Sequence, residues 1–250
     1  MCGRFVSVTV GAELADAVAA LPGLGRAQVR ADAPPRWNVA PTHPVQIVVP
    51  AEALAAPAGA PAGAGEAIIG ARWGLIPHWA REVPRTPWFN ARGETLADKP
   101  AFRDAHRGPR CLVPVDGWYE WRHRRPWYCA PAAGGPLFLA GLWTRWRDRY
   151  TATIVTTDAV GDLGWLHDRM PRVLAPGDCA RWLRGDAAEV ADLRAPADPA
   201  ELPGLRLTPA DPAVGRVGAE GPELLDSAAA AESGRAAAAA GDAPPGPLRR

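Results

Sequence analysis

The chain has 250 residues, of which 48% are apolar and 22% are charged, and its formal net charge is +1. These values are typical of soluble globular proteins and exclude a collagen-like, coiled-coil or globally disordered chain. No apolar run approaches the roughly 18 residues of a membrane span, and the N-terminus lacks the features of a signal peptide. The sequence therefore predicts a cytoplasmic protein with no membrane partner.

Short strand-like runs outnumber the helical segments along the chain. In chain order, the patterns predict a helix at 12–21, strands at 45–49 and 67–73, a helix at 99–106, strands at 111–115, 118–121, 136–143 and 151–157, and a helix at 176–183. The strand runs are rich in β-branched or aromatic residues and are bounded by Gly, Pro or Asp. Because they do not alternate regularly with helices, the sequence favours an α+β fold. We expect a single domain built on an antiparallel or mixed sheet that curls toward a barrel, with flanking helices.

Three stretches contain few of the large apolar residues that form a core. Residues 51–66 are mostly Ala, Pro and Gly, residues 186–204 mix acidic residues with Ala and Pro, and residues 227–250 are rich in Ala, Pro and Gly. Such segments bury too little surface to offset the entropy lost on ordering. We therefore predict one domain over 1–226 with a loop insertion near 51–66, followed by a disordered tail over 227–250.

The cysteines and histidines do not form a metal-binding or disulfide pattern. The four cysteines are widely spaced without a Cys-x-x-Cys pair, and the five histidines add no zinc-type spacing. Cys111, Cys129 and Cys179 are predicted to be small buried apolar residues. We expect no structural metal.

Positive charge is concentrated in the middle of the chain. Residues 72–149 carry 14 basic and 7 acidic side chains, and all but one of the 28 basic residues in the chain are arginine. Arginine suits phosphate binding and stacking on bases because its guanidinium group is planar and weakly hydrated. A bias in genome composition would explain the excess of arginine equally well.

Cys2 directly follows the initiator methionine, which is commonly removed before a small residue. Removal would leave a thiol and an α-amine on adjacent carbons, and the reference pKa of the amine, about 7.7–8.0, leaves part of it unprotonated near neutral pH. Such a 1,2-aminothiol condenses with an aldehyde to an imine and then closes to a thiazolidine ring. The thiolate could alternatively attack an acyl group, with the α-amine as its base.

Eight motifs occur in order along the chain and together resemble one protein family. They are MCGRF at 1–5, RWNVAPT at 36–42, ARWGLIPHWA at 71–80, FNARGET at 89–95, KPAFRDA at 99–105, RCLVPVDGWYEW at 110–121, PLFLAGLW at 136–143, and TIVTTDA with LHDRMP within 153–171. The chain resembles the SOS-response-associated peptidase family, which shields abasic sites in single-stranded DNA. The resemblance is weaker at 205–226, where the Ser and Asn of the family pattern are absent, so no functional residue is predicted there.

The resemblance implies that Cys2 is the covalent residue and that Asn90, Glu120 and His167 surround it. Asn90 could fix the new N-terminus through its amide. Glu120 stands among three aromatic residues, and apolar surroundings favour the protonated form of a carboxyl group, which suits it to proton transfer. His167 could protonate the deoxyribose ring oxygen and so open the sugar to its aldehyde. Considered without the resemblance, the three residues have ordinary interpretations as a turn former, a solvent-facing acid and a structural histidine.

The same motifs supply candidates for DNA contacts. Arg4, Arg92 and Arg169 are predicted to contact phosphates that flank the lesion. Trp73 or Trp79 could stack on an exposed base. The polar residues of the RWNVAPT motif, at positions 36 and 38, are expected to shape the wall of the pocket.

Together these observations predict a monomeric protein that binds single-stranded DNA, or a junction of single and double strands, and captures abasic sites through Cys2 as a thiazolidine. A self-directed peptidase step and weak abasic-site lyase activity are implied, and no metal or organic cofactor is required. Two alternatives remain at this stage. One is an amidotransferase that hydrolyses glutamine with an N-terminal cysteine, and the other is a non-catalytic binder of single-stranded DNA.

Overall fold

A computed structural model of the chain describes residues 2–54, 64–108 and 110–225. Within these residues the strands are β1 (Arg4–Ser7), β2 (Gln28–Val29), β3 (Arg36–Val39), β4 (Pro44–Pro50), β5 (Glu66–Trp73), β6 (Asn90–Arg92), β7 (Arg110–Val115), β8 (Gly117–Arg122), β9 (Arg125–Pro131), β10 (Leu137–Trp146), β11 (Arg149–Asp158), β12 (Arg169–Pro171) and β13 (Leu205–Pro209). The α-helices are α1 (Gly11–Ala19), α2 (Pro100–Arg107), α3 (Leu163–Leu166) and α4 (Cys179–Arg184). Single 3₁₀ turns lie at Ala51–Ala53, Pro176–Asp178, Asp192–Arg194, Pro199–Glu201, Pro212–Gly215 and Pro222–Leu224.

Five strands close into a barrel. Strands β11, β10, β7, β4 and β5 are neighbours in that order, and β5 then pairs in parallel with β11, where Thr151 aligns with Arg72. β10 and β11 are joined by a two-residue turn in which Arg147 has φ 55°. Three short strands pair with the barrel strands: β2 pairs with β5, and β6 and β12 pair with β11. The predicted curl toward a barrel is therefore confirmed, since the last pairing removes the open edges between β5 and β11.

The second sheet has five antiparallel strands in the order β13, β9, β8, β1 and β3. β8 and β9 form a hairpin whose two turn residues, His123 and Arg124, both have positive φ, as a two-residue hairpin loop that matches the strand twist requires. One face of this sheet packs on the barrel through Phe5 and Trp118, which are cross-strand partners. Cys2 lies along this interface because β1 begins only two residues after it.

The helices cover another side of the barrel. Leu14 of α1, Phe102 of α2 and Trp182 of α4 pack in one cluster with Leu112 of the barrel. The Trp182 indole Nε1 donates to the carbonyl of Cys111 at 3.0 Å, so this large ring is buried with its polar atom satisfied. The predicted helices at 12–21 and 99–106 are confirmed as α1 and α2, and the last one is a 3₁₀ turn followed by α4.

One prediction about domain organisation is wrong, and two others concern residues that the structure does not describe. Residues 186–204 are predicted to lie outside the core, but Val190 and Leu193 are buried against the α4 side of the barrel. That prediction is wrong because two well-placed apolar residues suffice to anchor a segment without regular secondary structure. Most of the predicted insertion, at 55–63, and the predicted tail lie outside the described residues. No helix among the described residues is long and apolar enough to span a membrane.

Candidate active site

Cys2 lies fully buried between the second sheet and the barrel, packed in one cluster with Phe5, Trp118 and Cys129. Its Sγ lies 3.9 Å from the carbonyl oxygen of Arg4. Burial raises the pKa of the Cys2 thiol well above its usual range, and the negative charge of Glu120 raises it further. In this structure Cys2 therefore carries a neutral thiol that needs a proton acceptor before it can act as a nucleophile.

Asn90 is held beside Cys2 by the barrel. It begins the three-residue strand β6, which pairs in parallel with β11 so that Ala91 aligns with Val155. Its Nδ2 donates to the Cys2 carbonyl oxygen at 2.8 Å. The Oδ1 of the same amide is buried and accepts no hydrogen bond from the described residues. Asn90 thus fixes the backbone of Cys2 and presents a second polar atom inside the site.

Glu120 is buried on β8. Its Oε1 accepts from the backbone N–H of Trp121 at 3.2 Å, and its cross-strand partner is Trp127. Its charge raises the pKa of both Cys2 and Cys129, although burial is the larger cause for each. The sequence alone is equally consistent with a solvent-facing acid. In the structure this carboxyl group is buried, and its charge adds to the effect of burial in raising the pKa of the Cys2 thiol.

His167 caps the C-terminus of α3, next to the second sheet. Its side chain is 31% exposed, and its Nδ1 lies 2.6 Å from Asp168 Oδ1 and 2.9 Å from the backbone N of Arg169. α3 is anchored on the sheet because Trp165 stacks edge-on against Trp127 at 5.1 Å between ring centroids. Since Trp127 is the partner of Glu120, this packing brings the turn that contains His167 to the Glu120 side of the site.

The three arginines that are predicted to contact DNA phosphates differ in their exposure to solvent and in the hydrogen-bond partners that they already have. Arg92 is exposed at the end of β6, two residues after Asn90. Arg169 has a side chain that is only 11% exposed and is bound to two carboxylates, with Nη1 at 2.6 Å from Asp158 Oδ1 and both Nη atoms on Glu94. Arg4 is half-buried, and its Nη1 donates to Asn38 Oδ1 at 3.0 Å.

Trp73 lies in the core. It is 1% exposed, its ring packs on Phe5 at 4.8 Å between centroids, and its Nε1 donates to the carbonyl of Phe89. A base cannot reach its faces in this conformation, so the expectation that Trp73 stacks on DNA does not fit its position. Trp79, from the same motif, is 52% exposed.

A C-terminal strap, defined as residues 210–225, crosses the outer face of the second sheet. Arg4 donates to the carbonyls of Val214 and Gly215, and Asn38 Nδ2 lies within 3.2 Å of three strap carbonyl oxygens. Arg36 forms two hydrogen bonds to the Oε1 atom of the strap residue at 220. Residues 36 and 38 therefore hold the strap. Sequence patterns carry little signal for this because the strap lacks hydrophobic periodicity.

The site contains no metal-binding arrangement that the structure describes. Across residues 2–54, 64–108 and 110–225, no three His, Cys, Asp or Glu side chains are grouped so that they could hold a metal ion. The polar groups around Cys2 are instead an amide, a carboxyl group and, farther along the sheet, an imidazole. These groups can orient a backbone and transfer protons.

Comparison with known proteins identifies the family. The sequence model of the SOS response associated peptidase (SRAP) family matches residues 1–217. Abasic site processing protein YoqW of Bacillus subtilis (strain 168) is 32% identical over 194 residues, which cover 73% of this chain and 80% of YoqW. Abasic site processing protein YedK of Escherichia coli (strain K12) is 30% identical over 165 residues, which cover 61% of this chain and 72% of YedK.

Solved structures share the fold. The crystal structure of a Bacteroides thetaiotaomicron protein has a TM-score of 0.70 and 22% identity, covering 91% of this chain and 100% of its own. A phage-related protein of Bordetella bronchiseptica has a TM-score of 0.61 and 26% identity, covering 83% of this chain and 93% of its own. With the family match spanning most of the sequence, the chain belongs to the SOS response associated peptidase (SRAP) family.

Proposed function

We propose that this protein binds single-stranded DNA, or a junction of single and double strands, as a monomer and captures abasic sites covalently through Cys2. Its family and its similarity to the abasic site processing proteins YoqW and YedK support a role in processing abasic sites. The observation that carries the proposal is the environment of Cys2. Asn90 donates to its carbonyl oxygen at 2.8 Å, and burial, followed by the charge of the buried Glu120, raises the pKa of its thiol.

The chemistry begins once Met1 is removed, either by a general aminopeptidase or by the protein itself, as the peptidase name of the family suggests. The α-amine of Cys2 adds to the sugar aldehyde, and loss of water gives an imine. The Cys2 thiol then adds across the C=N bond, so that a C–S bond forms and the thiol proton is transferred to nitrogen. The product is a thiazolidine. Because burial keeps the thiol neutral, this ring closure needs a group that relays the proton, and Glu120 is the carboxyl group suited to it.

Asn90 and His167 prepare the reactants. Asn90 fixes the Cys2 carbonyl through Nδ2, and its buried Oδ1 is an acceptor suited to the new α-amine. His167 acts on the DNA side by protonating the ring oxygen of the closed sugar, which exposes the aldehyde. The backbone N–H of Arg169 donates to its Nδ1 at 2.9 Å, and this contact orients the imidazole ring.

The DNA backbone would be held by arginine. Arg92 is the best supported phosphate contact because it is exposed and close in sequence to Asn90. Arg169 would have to exchange carboxylate partners for a phosphate, and Arg4 already donates to the strap. Trp79 is the exposed aromatic residue available for stacking on a base.

A denaturing gel tests the covalent step. Purified protein is incubated with a single-stranded oligonucleotide that carries one abasic site, alongside Cys2→Ala and, as a matched control, Cys179→Ala, which removes a buried thiol from α4. We expect a heat-stable, slower-migrating band from wild type and Cys179→Ala and none from Cys2→Ala. The Cys2→Ala variant lacks the thiol that closes the ring, so we expect it to release cleaved DNA by β-elimination.

Two results would contradict the proposal. If wild type with Cys2 at its N-terminus, verified by mass spectrometry, gave no stable band, covalent capture would be wrong, and glutamine hydrolysis would be assayed next. If wild type and Cys2→Ala bound the oligonucleotide equally and neither formed a cross-link, the protein would be a non-catalytic DNA binder.

A further inference from the structure

One surface, here called the basic face, combines the loop that follows β5 with the hairpin between β10 and β11. It consists of residues 81–85 and 145–149. The indole Nε1 of Trp146 donates to the carbonyl of Ala80 at 2.7 Å, and Arg147 Nη2 donates to that of Arg81 at 2.7 Å. These bonds hold the loop on the hairpin, so the two segments present their side chains together.

The basic face carries five arginines and two carboxylates, a net charge of +3, whereas the whole chain has +1. All five arginines are exposed, and they are Arg81, Arg85, Arg145, Arg147 and Arg149. The one ion pair that the structure describes within this face joins Asp148 to Arg149 at 3.7 Å. The charge of Arg149, after burial, also lowers the pKa of the neighbouring Arg72. Like charges gathered in this way repel one another, and an anionic partner relieves the repulsion.

Strand β11 connects the basic face to the candidate active site. Ile154 aligns with Asn90, and Arg149 begins the same strand five residues earlier. At about 3.3 Å per residue, the start of β11 is roughly 17 Å from the register of Asn90. The loop also returns to the site, because Leu75 pairs with Trp88, two residues before Asn90. A nucleic acid bound at the site therefore reaches the face within about five steps of 3.4 Å along one strand of a duplex.

The side chains of the basic face suit the backbone of a duplex better than the bases of a single strand. Trp146 is 4% exposed, and the guanidinium carbon of Arg147 lies 4.3 Å from the centre of its ring. A base cannot stack on a buried ring that an arginine covers, and proteins that bind single strands rely on such stacking. Contacts to phosphates, in contrast, hold a duplex without reading its sequence. Trp79, two residues before the face, is 52% exposed and is a ring on which the last base pair of a duplex can stack.

We propose that the basic face binds the double-stranded arm of a junction whose single-stranded part places the abasic site at Cys2. Arg81, Arg85 and Arg145 contact backbone phosphates of that arm, and the terminal base pair stacks on Trp79. The proposal rests on the proposed function, because that function places the lesion at Cys2. It selects the junction over the single strand alone as the preferred DNA, and it gives a role to the positive charge in the middle of the chain.

Non-covalent affinity for three fluorescent oligonucleotides tests the contact apart from the chemistry. Each carries a tetrahydrofuran abasic analogue, which has no aldehyde. One is single-stranded, and the other two are annealed to a complementary strand on the 5′ or on the 3′ side of the analogue. Binding is measured by anisotropy over a range of salt concentrations. The variant is Arg85→Gln/Arg145→Gln, which removes two exposed charges and leaves Arg147 on the ring of Trp146.

The matched control is Arg30→Gln/Arg206→Gln, which removes two exposed charges away from the basic face. Arg30 follows β2, where Val29 aligns with Ile68 near the start of β5, whereas the loop of the basic face follows the end of β5. Arg206 lies on β13, an edge strand of the second sheet. The control therefore reports what the loss of two positive charges does by itself.

We expect wild type to bind one of the two junctions more tightly than the single strand. Arg85→Gln/Arg145→Gln should raise the dissociation constant for that junction about tenfold and lower the slope of log affinity against log salt by about 1.8, the value for two phosphate contacts to a duplex. Its affinity for the single strand should stay within about twofold of that of the control, because the single strand does not reach these arginines.

Three results would overturn the duplex contact. They are a wild type that binds neither junction more tightly than the single strand, a variant that weakens both kinds of DNA equally, and a variant whose affinity for the junction matches that of the control. The outcome is separable from that of the proposed function, since the tetrahydrofuran analogue cannot form an imine with Cys2. Selective loss of junction binding supports the duplex contact even if wild type forms no cross-link. A cross-linking wild type whose junction affinity is unchanged by Arg85→Gln/Arg145→Gln overturns the duplex contact and leaves the proposed function standing.

Discussion

Replacing Asn38 by Ala would release the strap while leaving the rest of the fold in place. An amide has two N–H donors, which Asn38 shares among three strap carbonyls, and one oxygen, which accepts from Arg4 Nη1 at 3.0 Å. A typical neutral hydrogen bond contributes about 1 kcal/mol net and one to a charged group about 1.5 kcal/mol or more. Because the freed carbonyls regain water, the strap should lose about 2–4 kcal/mol of docking free energy.

Limited trypsin digestion measures this loss, because cleavage after Arg216 requires the strap to open. When opening and closing are fast relative to cleavage, the rate follows the population of the open form. A loss of about 2–4 kcal/mol therefore predicts cleavage after Arg216 that is roughly 30- to 700-fold faster in Asn38→Ala. Gln46→Ala is the matched control, since it removes another buried amide, which donates to Ala31 at 2.8 Å in the barrel. If cleavage after Arg216 in Asn38→Ala were within threefold of that in Gln46→Ala, the conclusion that Asn38 holds the strap would be refuted.

Three further predictions concern the site and the core. Native protein should show no thiol that reacts rapidly with iodoacetamide at about pH 7.5, because all four cysteines are buried and burial raises the Cys2 pKa; mass spectrometry that found fast labelling of Cys2 would contradict this environment. Asn90→Ala should slow cross-linking by roughly 10- to 100-fold, since a loosened Cys2 backbone misplaces the amine. A single-turnover gel assay measures this rate, and a wild-type rate would remove Asn90 from the mechanism. His106 is buried, and burial together with the charges of nearby arginines lowers its pKa to about 4, against about 6.5 when unfolded. Below about pH 6.5 the unfolded chain thus binds a proton that the folded chain does not, so stability should fall by about 2 kcal/mol by about pH 5. Urea unfolding at about pH 7 and about pH 5 should show a smaller loss in His106→Leu, and an equal loss would disprove the assignment.

The predictable part of the fold consists of long strands with strong local patterns. The six predicted strand runs lie at β4, β5, β7, β8, β10 and β11 because their β-branched and aromatic residues are continuous over several positions or are bounded by turn residues. β1, β3, β6 and β12 have only three or four residues each, too few for a periodic signal. Their existence depends on pairing with distant strands, as β6 does with β11.

The candidate site shows the same division between what local sequence predicts and what depends on tertiary packing. The motifs supply the residue types, which are an N-terminal thiol, an amide, a carboxyl group and an imidazole. They do not show that Glu120 is buried or that Trp73 is inaccessible. Alternation along a strand assigns residues to two faces, but which face is covered depends on what packs against it.

The sequence by itself determined the family, the covalent candidate Cys2 and the barrel-like α+β class, because these follow from local patterns and from motifs in order. Only the tertiary structure decided which arginines face solvent and which are bound to carboxylates or carbonyls. It also showed that Asn38 holds a strap carbonyl 176 residues away in the chain. A contact of that range depends on how the C-terminal strap packs across the second sheet, and no local property of the residues involved encodes it.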